Sequence, residues 1–337
     1  MRSLPGNPTH VGSPGAEDPS GVIVSVQRLS TEDGPGIRTT VFLKRCPLSC
    51  RWCQNPESIS EQSQLQWFSV RCIGCASCVT ACSAGNLAMT GSGLSINRLR
   101  CTGCGTCASR CPSNALELEG REISAARLAE ELARDKAFYE QSGGGVTVSG
   151  GEPLAQPLFT RALLEKLLER GIQTALDTCG FAAPAAWEQV LPLASLVLYD
   201  LKLMDPVRHR KLTGQSNELI LGNFAAVVDA VRLRTRRLSL WVRTPLIPGA
   251  TATRENLLAI GRFLANSAQG AVERWELCAF NNLCRDKYSR LGIEWDYALT
   301  PLMKHEELEE AAANARASGV DPGIVSVTGA ARTRANA

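Results

Sequence analysis

Histidine is almost missing from this sequence: His10, His209 and His305 are the only three in 337 residues. His10 falls in an unpatterned N-terminal stretch, and the other two fall on helical patterns that read as surface. Imidazole acid–base catalysis is therefore not expected. Aromatic residues are sparse at 5%, and the charges nearly cancel to a net +3. That balance provides no electrostatic footprint for nucleic acid. No run of ~20 apolar residues occurs, so no membrane-crossing helix is expected. Residues 1–20 are rich in Pro, Gly and Ser and lack the apolar core of an export signal. They read as a disordered leader, and the chain as cytoplasmic and monomeric. The 44% apolar content can fill one large α/β domain with a small module attached.

Cysteine is what the chain has in excess. It carries 14, of which 11 lie between Cys46 and Cys111. The cytosol keeps thiols reduced, so metal ligation is the expected use. Cys72, Cys75, Cys78 and Cys82 form a C-x2-C-x2-C-x3-C run, and Cys101, Cys104, Cys107 and Cys111 repeat it, followed by Pro112. Such runs hold paired iron–sulfur clusters in which the fourth cysteine of each run ligates the other run's cluster. Cys111 is thus assigned with Cys72, Cys75 and Cys78, and Cys82 with Cys101, Cys104 and Cys107. A pair of zinc sites is the competing reading, although zinc frameworks rarely crowd four cysteines so tightly. Residues 67–118 read as an electron-carrying insert, flanked by 21–66 and 119–337. Cys179, Cys278 and Cys284 are scattered and read as packed thiols.

Cys46, Cys50 and Cys53 have a different spacing, C-x3-C-x2-C, and no fourth cysteine nearby. Three thiolates on a four-iron cluster leave one iron open, and open positions are where substrates bind. An incomplete zinc or redox site is the alternative. The apolar run from Thr39 to Leu43 comes just before, which places the triad in the loop after a strand.

Beyond the insert, apolar strand-like runs alternate with helical patterns. Strands are expected at Val146–Ser149, Ile172–Leu176, Leu196–Tyr199, Leu238–Val242 and Arg274–Leu277. Helices are expected at Ser124–Glu140, Gln156–Glu169, Ala183–Val190, Asn223–Thr235, Arg254–Ala265 and His305–Ser318. This alternation indicates a parallel sheet, as an open or closed (β/α) barrel, with function at the C-terminal strand ends. Unusual residues fall there: Gly150, Gly151 and Glu152, then Asp177 and Thr178, then Asp200 and Lys202, then Arg243. The glycines would let backbone approach a ligand. Each Asp or Thr taken alone reads first as a helix cap or a solvated loop end.

The segment DGPGIRTTVFLKRCPLSCRWCQNPES, Asp33 to Ser58, together with GGGVTVSGGEP, Gly143 to Pro153, resembles the radical S-adenosylmethionine enzymes that activate glycyl radical enzymes. The resemblance implies a partial (β/α)6 barrel of TIM type carrying a ferredoxin-like insert with two 4Fe–4S clusters. A third such cluster on Cys46, Cys50 and Cys53 would bind S-adenosylmethionine. Trp52 and Asn55 would contact this cofactor, as would Gly150, Gly151, Glu152, Lys202 and Arg243. Asp177, Thr178 and Asp200 would hold a monovalent cation beside its carboxylate. The implied partners are a glycyl radical enzyme and a flavodoxin or ferredoxin donor; a radical enzyme acting on a small molecule is the alternative. Two residues depart from the pattern. Arg45 replaces the usual glycine before the first cysteine, and Asn281 replaces a histidine at the last strand end. The loop Asp33 to Gly36 is expected beside the cluster loop, either holding the partner's glycine segment or simply turning the chain.

Overall fold

The computed structural model describes residues 18–233 and 237–332. Most of the expected leader, with His10, lies outside the described residues, as does Thr235 at the end of one expected helix. The first seven strands are β1 (Ser20–Ser30), β2 (Arg38–Leu43), β3 (Gln64–Trp67), β4 (Leu87–Thr90), β5 (Gly93–Ile96), β6 (Leu116–Glu119) and β7 (Arg121–Ser124). Then come β8 (Gly145–Gly150), β9 (Thr174–Thr178), β10 (Leu196–Asp200), β11 (Ser239–Leu246), β12 (Arg274–Ala279) and β13 (Val325–Thr328). Nine of them form one sheet in the order β13-β12-β11-β10-β9-β8-β2-β1-β7. From β2 to β13 the pairing is parallel, and β1 runs antiparallel to β2 and to β7.

Sequence pattern accounts for this sheet. Parallel strands covered on both faces read as continuous apolar runs, as in LVLY at Leu196–Tyr199. Val197 and Tyr199 join the large core under the helices, while Leu196 and Leu198 pack with Ala175 on the opposite face. Each such buried side chain contributes roughly 1.5–3 kcal/mol. All five expected strands form, and each extends one to four residues past its expected C-terminal end. Asp177, Thr178, Asp200 and Arg243 are therefore strand residues, with orientation set by the sheet's alternation rather than by loops.

Several expectations are corrected. The single helix Ser124–Glu140 is two, Ala125–Ala133 and Lys136–Ser142, broken at Asp135. Asp135 is tied to the sheet instead, accepting from Arg28 and from Thr39 Oγ1 at 3.2 Å. The helix expected at Gln156–Glu169 begins at Pro157, and its Phe159, Leu163, Leu164 and Leu167 fill the core. The Asp33–Gly36 loop does not lie beside the cluster loop. Asp33 Oδ2 accepts from Ser30 Oγ and Thr40 Oγ1, each at 2.6 Å, and its carbonyl accepts from Thr147 Oγ1 at 2.8 Å. Asp33 thus folds back to the middle of β2, at the level of the paired Thr40 and Thr147.

His209 is the other correction, since it is only 1% exposed. Its Nδ1 donates to the Gln215 carbonyl at 2.6 Å, within the turn after the helix Pro206–Thr213. Burial lowers its pKa despite that hydrogen bond. A histidine buried neutral must take up a proton on unfolding, so its contribution is complete above about pH 6.5 and is lost as pH falls through the lowered native value. Urea unfolding of the wild-type chain and H209Q should show this: stability falls below about pH 6.5 in the wild type, and H209Q flattens that decline. Parallel pH profiles for the two would remove His209 as its source.

Candidate active site

The cluster loop is built between β2 and the helical turn Pro56–Ser58. Cys46 N–H donates to Ile59 O at 3.1 Å, and Cys53 N–H to Cys50 O at 3.0 Å, so the loop curls back on itself. Arg45 stands at φ 75°, the left-handed region that glycine enters freely. An arginine there costs about 1–2 kcal/mol, which is the physical content of its departure from glycine. Gly150 and Gly151 seat this loop. A Cβ on Gly150 would stand 2.1 Å from Leu43 N, and one on Gly151 would stand 2.4 Å from Arg45 O. Their lack of a side chain thus allows the close approach of strand and loop.

Together these elements enclose a cavity of about 200 Å³. Cys46, Cys50, Cys53, Trp52, Asn55, Gly150, Gly151, Asp177, Thr178, Asp200 and Lys202 all line it. Three residues expected at the site do not line it. Glu152 is fully buried, accepting from Leu154 N–H at 3.0 Å, Thr178 Oγ1 at 2.8 Å and Cys179 N–H at 2.9 Å, so its carboxylate braces the β8 and β9 ends. Arg243 lies behind the lining, paired with Asp177 at 3.4 Å, Glu276 at 3.6 Å and Asp33 at 4.0 Å. Asn281 turns its side chain to Leu283 N–H at 3.2 Å, while its carbonyl accepts from Gln54 Nε2 at 3.1 Å.

The thiols taken as incidental all adjoin the site. Cys179 lines the cavity as a fourth sulfur, hydrogen-bonded to Cys46. Cys278 hydrogen-bonds Arg243, and Cys284 Sγ stands 3.7 Å from Cys53 O. The one available signal was position: Cys179 directly follows Thr178 at a strand end.

Electrostatics follow from burial. It pushes the Cys50 thiol up to about 12 and raises Cys53 as well. The bond from Cys179 instead holds Cys46 below the usual thiol range. Burial opposes charge on Lys202, but its ion pair with Asp200 and the nearby Cys50 and Cys179 hold it well above the lysine range. Asp177 is pushed up to about 6 by burial, with Arg243 pulling the other way. Among the described residues no three His, Cys, Asp or Glu side chains converge closely enough for a single metal ion. The donor set fits an iron–sulfur cluster. Buried thiols that resist ionisation alone become thiolates when a cationic cluster displaces their protons, and sulfur is the donor such clusters take.

The region between β3 and β6 repeats one design twice. Helices Ser77–Ala81 and Thr106–Ser109 each begin at a left-handed residue, Ala76 and Gly105. Each run ends with an amide donating to its fourth sulfur: Asn86 N–H to Cys82 Sγ at 3.4 Å, and Ala115 N–H to Cys111 Sγ at 3.2 Å. Cys78 and Cys107 are buried in a small core with Leu65, Leu87, Leu94 and Leu116, against which Trp67 and Ile96 also pack. Cys111 crosses from the second run to line one cavity with Cys72, Cys75 and Cys78.

A parallel sheet whose strand ends meet a three-thiol loop, with a twofold cysteine repeat attached, defines an iron–sulfur enzyme. Residues 71–123 match the 4Fe-4S dicluster domain family. Over 284 residues the chain is 38% identical to the (2S)-3-sulfopropanediol dehydratase activating enzyme of Klebsiella oxytoca, covering 83% of this chain and 88% of that one. It is 39% identical over 280 residues to the isethionate sulfite-lyase activating enzyme of Nitratidesulfovibrio vulgaris, covering 82% and 89%. It is 36% identical over 290 residues to the trans-4-hydroxy-L-proline dehydratase activating enzyme of Clostridioides difficile, covering 86% and 94%. The chain belongs to the family of radical S-adenosylmethionine enzymes that activate glycyl radical enzymes.

Proposed function

We propose that Cys46, Cys50 and Cys53 hold a 4Fe–4S cluster in this cavity and that S-adenosylmethionine binds over it. When bound, the cluster supplies the electron that splits the cofactor into methionine and a 5′-deoxyadenosyl radical, which takes a hydrogen atom from a glycine Cα of the partner enzyme. The single observation that carries this reading is the convergence of the triad thiols with the polar ends of β9 and β10 in one cavity. Trp52 offers an aromatic face to the cofactor, Asn55 a polar contact, and Lys202 a fixed positive charge. Asp177, Thr178 and Asp200 would hold a monovalent cation beside the carboxylate. Arg243 and Glu152 support from behind, fixing Asp177 and Thr178. Asn281, just past the end of β12, can donate and accept hydrogen bonds but not titrate.

The finer architecture belongs to the same proposal. The sheet is read as a partial (β/α)6 barrel formed by 21–66 and 119–337, with 67–118 as the insert. One insert cluster sits on Cys72, Cys75, Cys78 and Cys111, the other on Cys101, Cys104, Cys107 and Cys82. A flavodoxin or ferredoxin would deliver electrons to this monomer in the cytoplasm.

The test is anaerobic. The reconstituted chain, S-adenosylmethionine and dithionite should yield 5′-deoxyadenosine. Adding an isethionate sulfite-lyase or a sulfopropanediol dehydratase, the enzymes for which relatives are named, should yield a protein glycyl radical by electron paramagnetic resonance. Absence of 5′-deoxyadenosine under these conditions would overturn the reading.

A further inference from the structure

The wall of the cavity formed by the cluster loop is anchored from outside by one short segment, residues 287–295. Lys287 Nζ donates to Gln54 O at 3.2 Å, Asn55 Oδ1 at 2.8 Å and Glu57 Oε1 at 2.6 Å. Tyr288 OH donates to Cys53 O at 2.9 Å, and Trp295 Nε1 to Arg51 O at 3.1 Å. Tyr288 and Trp295 stack at 5.1 Å, which fixes both rings. All of these bonds reach the stretch that carries Cys53, the last cysteine of the triad, and Asn55.

The chemistry of Lys287 is informative. An ammonium only donates, so the atom of Asn55 that faces it must be the carbonyl oxygen. Asn55 Nδ2 has no protein partner among the described residues, and Asn55 lines the cavity. Asn55 is thereby set to present an N–H donor to whatever occupies the cavity. Glu57 adds a reason for Lys287 to stay in place. It is 7% exposed on its side chain, and Lys287 is its ion-pair partner. A buried carboxylate stripped of its partner is costly.

We infer that Lys287 is a positioning residue for cofactor binding: it locks Asn55 in the donor orientation and holds the Gln54 carbonyl just after the last triad cysteine. The inference rests on the proposed cofactor site, and the test separates the two. Spectral titration of the reduced, reconstituted wild-type chain with S-adenosylmethionine should perturb the triad cluster's electron paramagnetic resonance signal. K287M should keep the wild-type iron content and the insert signals while requiring about tenfold more cofactor for that perturbation. K287R, which keeps a pure donor of the same charge, should recover most of the affinity. If K287M titrates like the wild type, Lys287 positions nothing and the inference falls. It falls equally if K287M and K287R lose triad iron alike, since that would make Lys287 a folding residue. No perturbation in the wild type would overturn the cofactor site itself and this inference with it.

Discussion

Replacing Cys50 with alanine should remove about four iron atoms per reconstituted chain and reduce S-adenosylmethionine cleavage to background, while leaving the insert clusters' spectra intact. The structure makes this a sharp comparison because four thiols, not three, line the cavity: Cys46, Cys50, Cys53 and Cys179. The first three share a loop that curls around one point. Cys179 is fixed at the end of β9 through its amide's bond to Glu152 Oε2 at 2.9 Å. Its thiol serves Cys46 as a hydrogen-bonding neighbour. C179A should therefore retain all the iron and lose at most about 10- to 100-fold in cleavage, the scale of a lost supporting contact at a metal site. Iron counts on the two variants decide between the assignments. If C179A loses iron and C50A keeps it, the triad is wrongly drawn.

Arg243 should be the costliest single side chain to neutralise. Its guanidinium faces Asp177, Glu276 and Asp33 within 4.0 Å, and it is 18% exposed. R243M leaves those carboxylates in a half-closed polar pocket without their countercharge. Losing one partner of a buried ion pair costs about 3–5 kcal/mol, measured here as the shift in urea unfolding free energy at neutral pH. The pH dependence identifies the cause. Asp177 already sits at about 6 because burial disfavours its charge, and Arg243 is what restrains that rise. Its native value is above the unfolded one, so the native state gains protons first and stability declines as pH rises through that window. Without Arg243 the decline should extend to higher pH. The stability gap between R243M and wild type should narrow as pH falls from about 8 to about 5, where protonation replaces the lost cation. A gap that stays constant across that range would show that Arg243 acts by packing alone. R243K should recover part of the loss, because an ammonium restores the charge without the fork that spans several carboxylates.

Much of the chemistry was legible because cysteine spacing is a local property. The triad and the two runs lie within loops, so sequence distance limits spatial distance, and ligand-forming sets can be read directly. The crossing of Cys111 to the first run's cavity follows from the same repeat logic. The parallel sheet was legible for a related reason, since strands buried on both faces must be apolar throughout. Where sequence reasoning erred, the deciding contact came from outside the element whose pattern was read. His209 looks like a surface residue on a polar helix until the turn at Gln215 closes over it. Asp135 breaks a helix because Arg28 and Thr39 claim its carboxylate.

The sequence alone determined where the cysteine sets fall and which elements carry them, because thiol spacing and apolar periodicity are written within short windows. Tertiary structure decided what each neighbour does. Glu152, expected at the cofactor, spends its carboxylate on the β9 end, and Gly150 and Gly151 make room for a loop. Cys179 joins the cavity, and Lys287, more than 230 residues after Asn55, holds that loop from outside. Such roles depend on the parallel order of β2, β8, β9 and β10, which brings distant strand ends to one side of the sheet. A hydrogen bond spanning that separation in sequence leaves no periodicity to read, so only the folded chain reveals it.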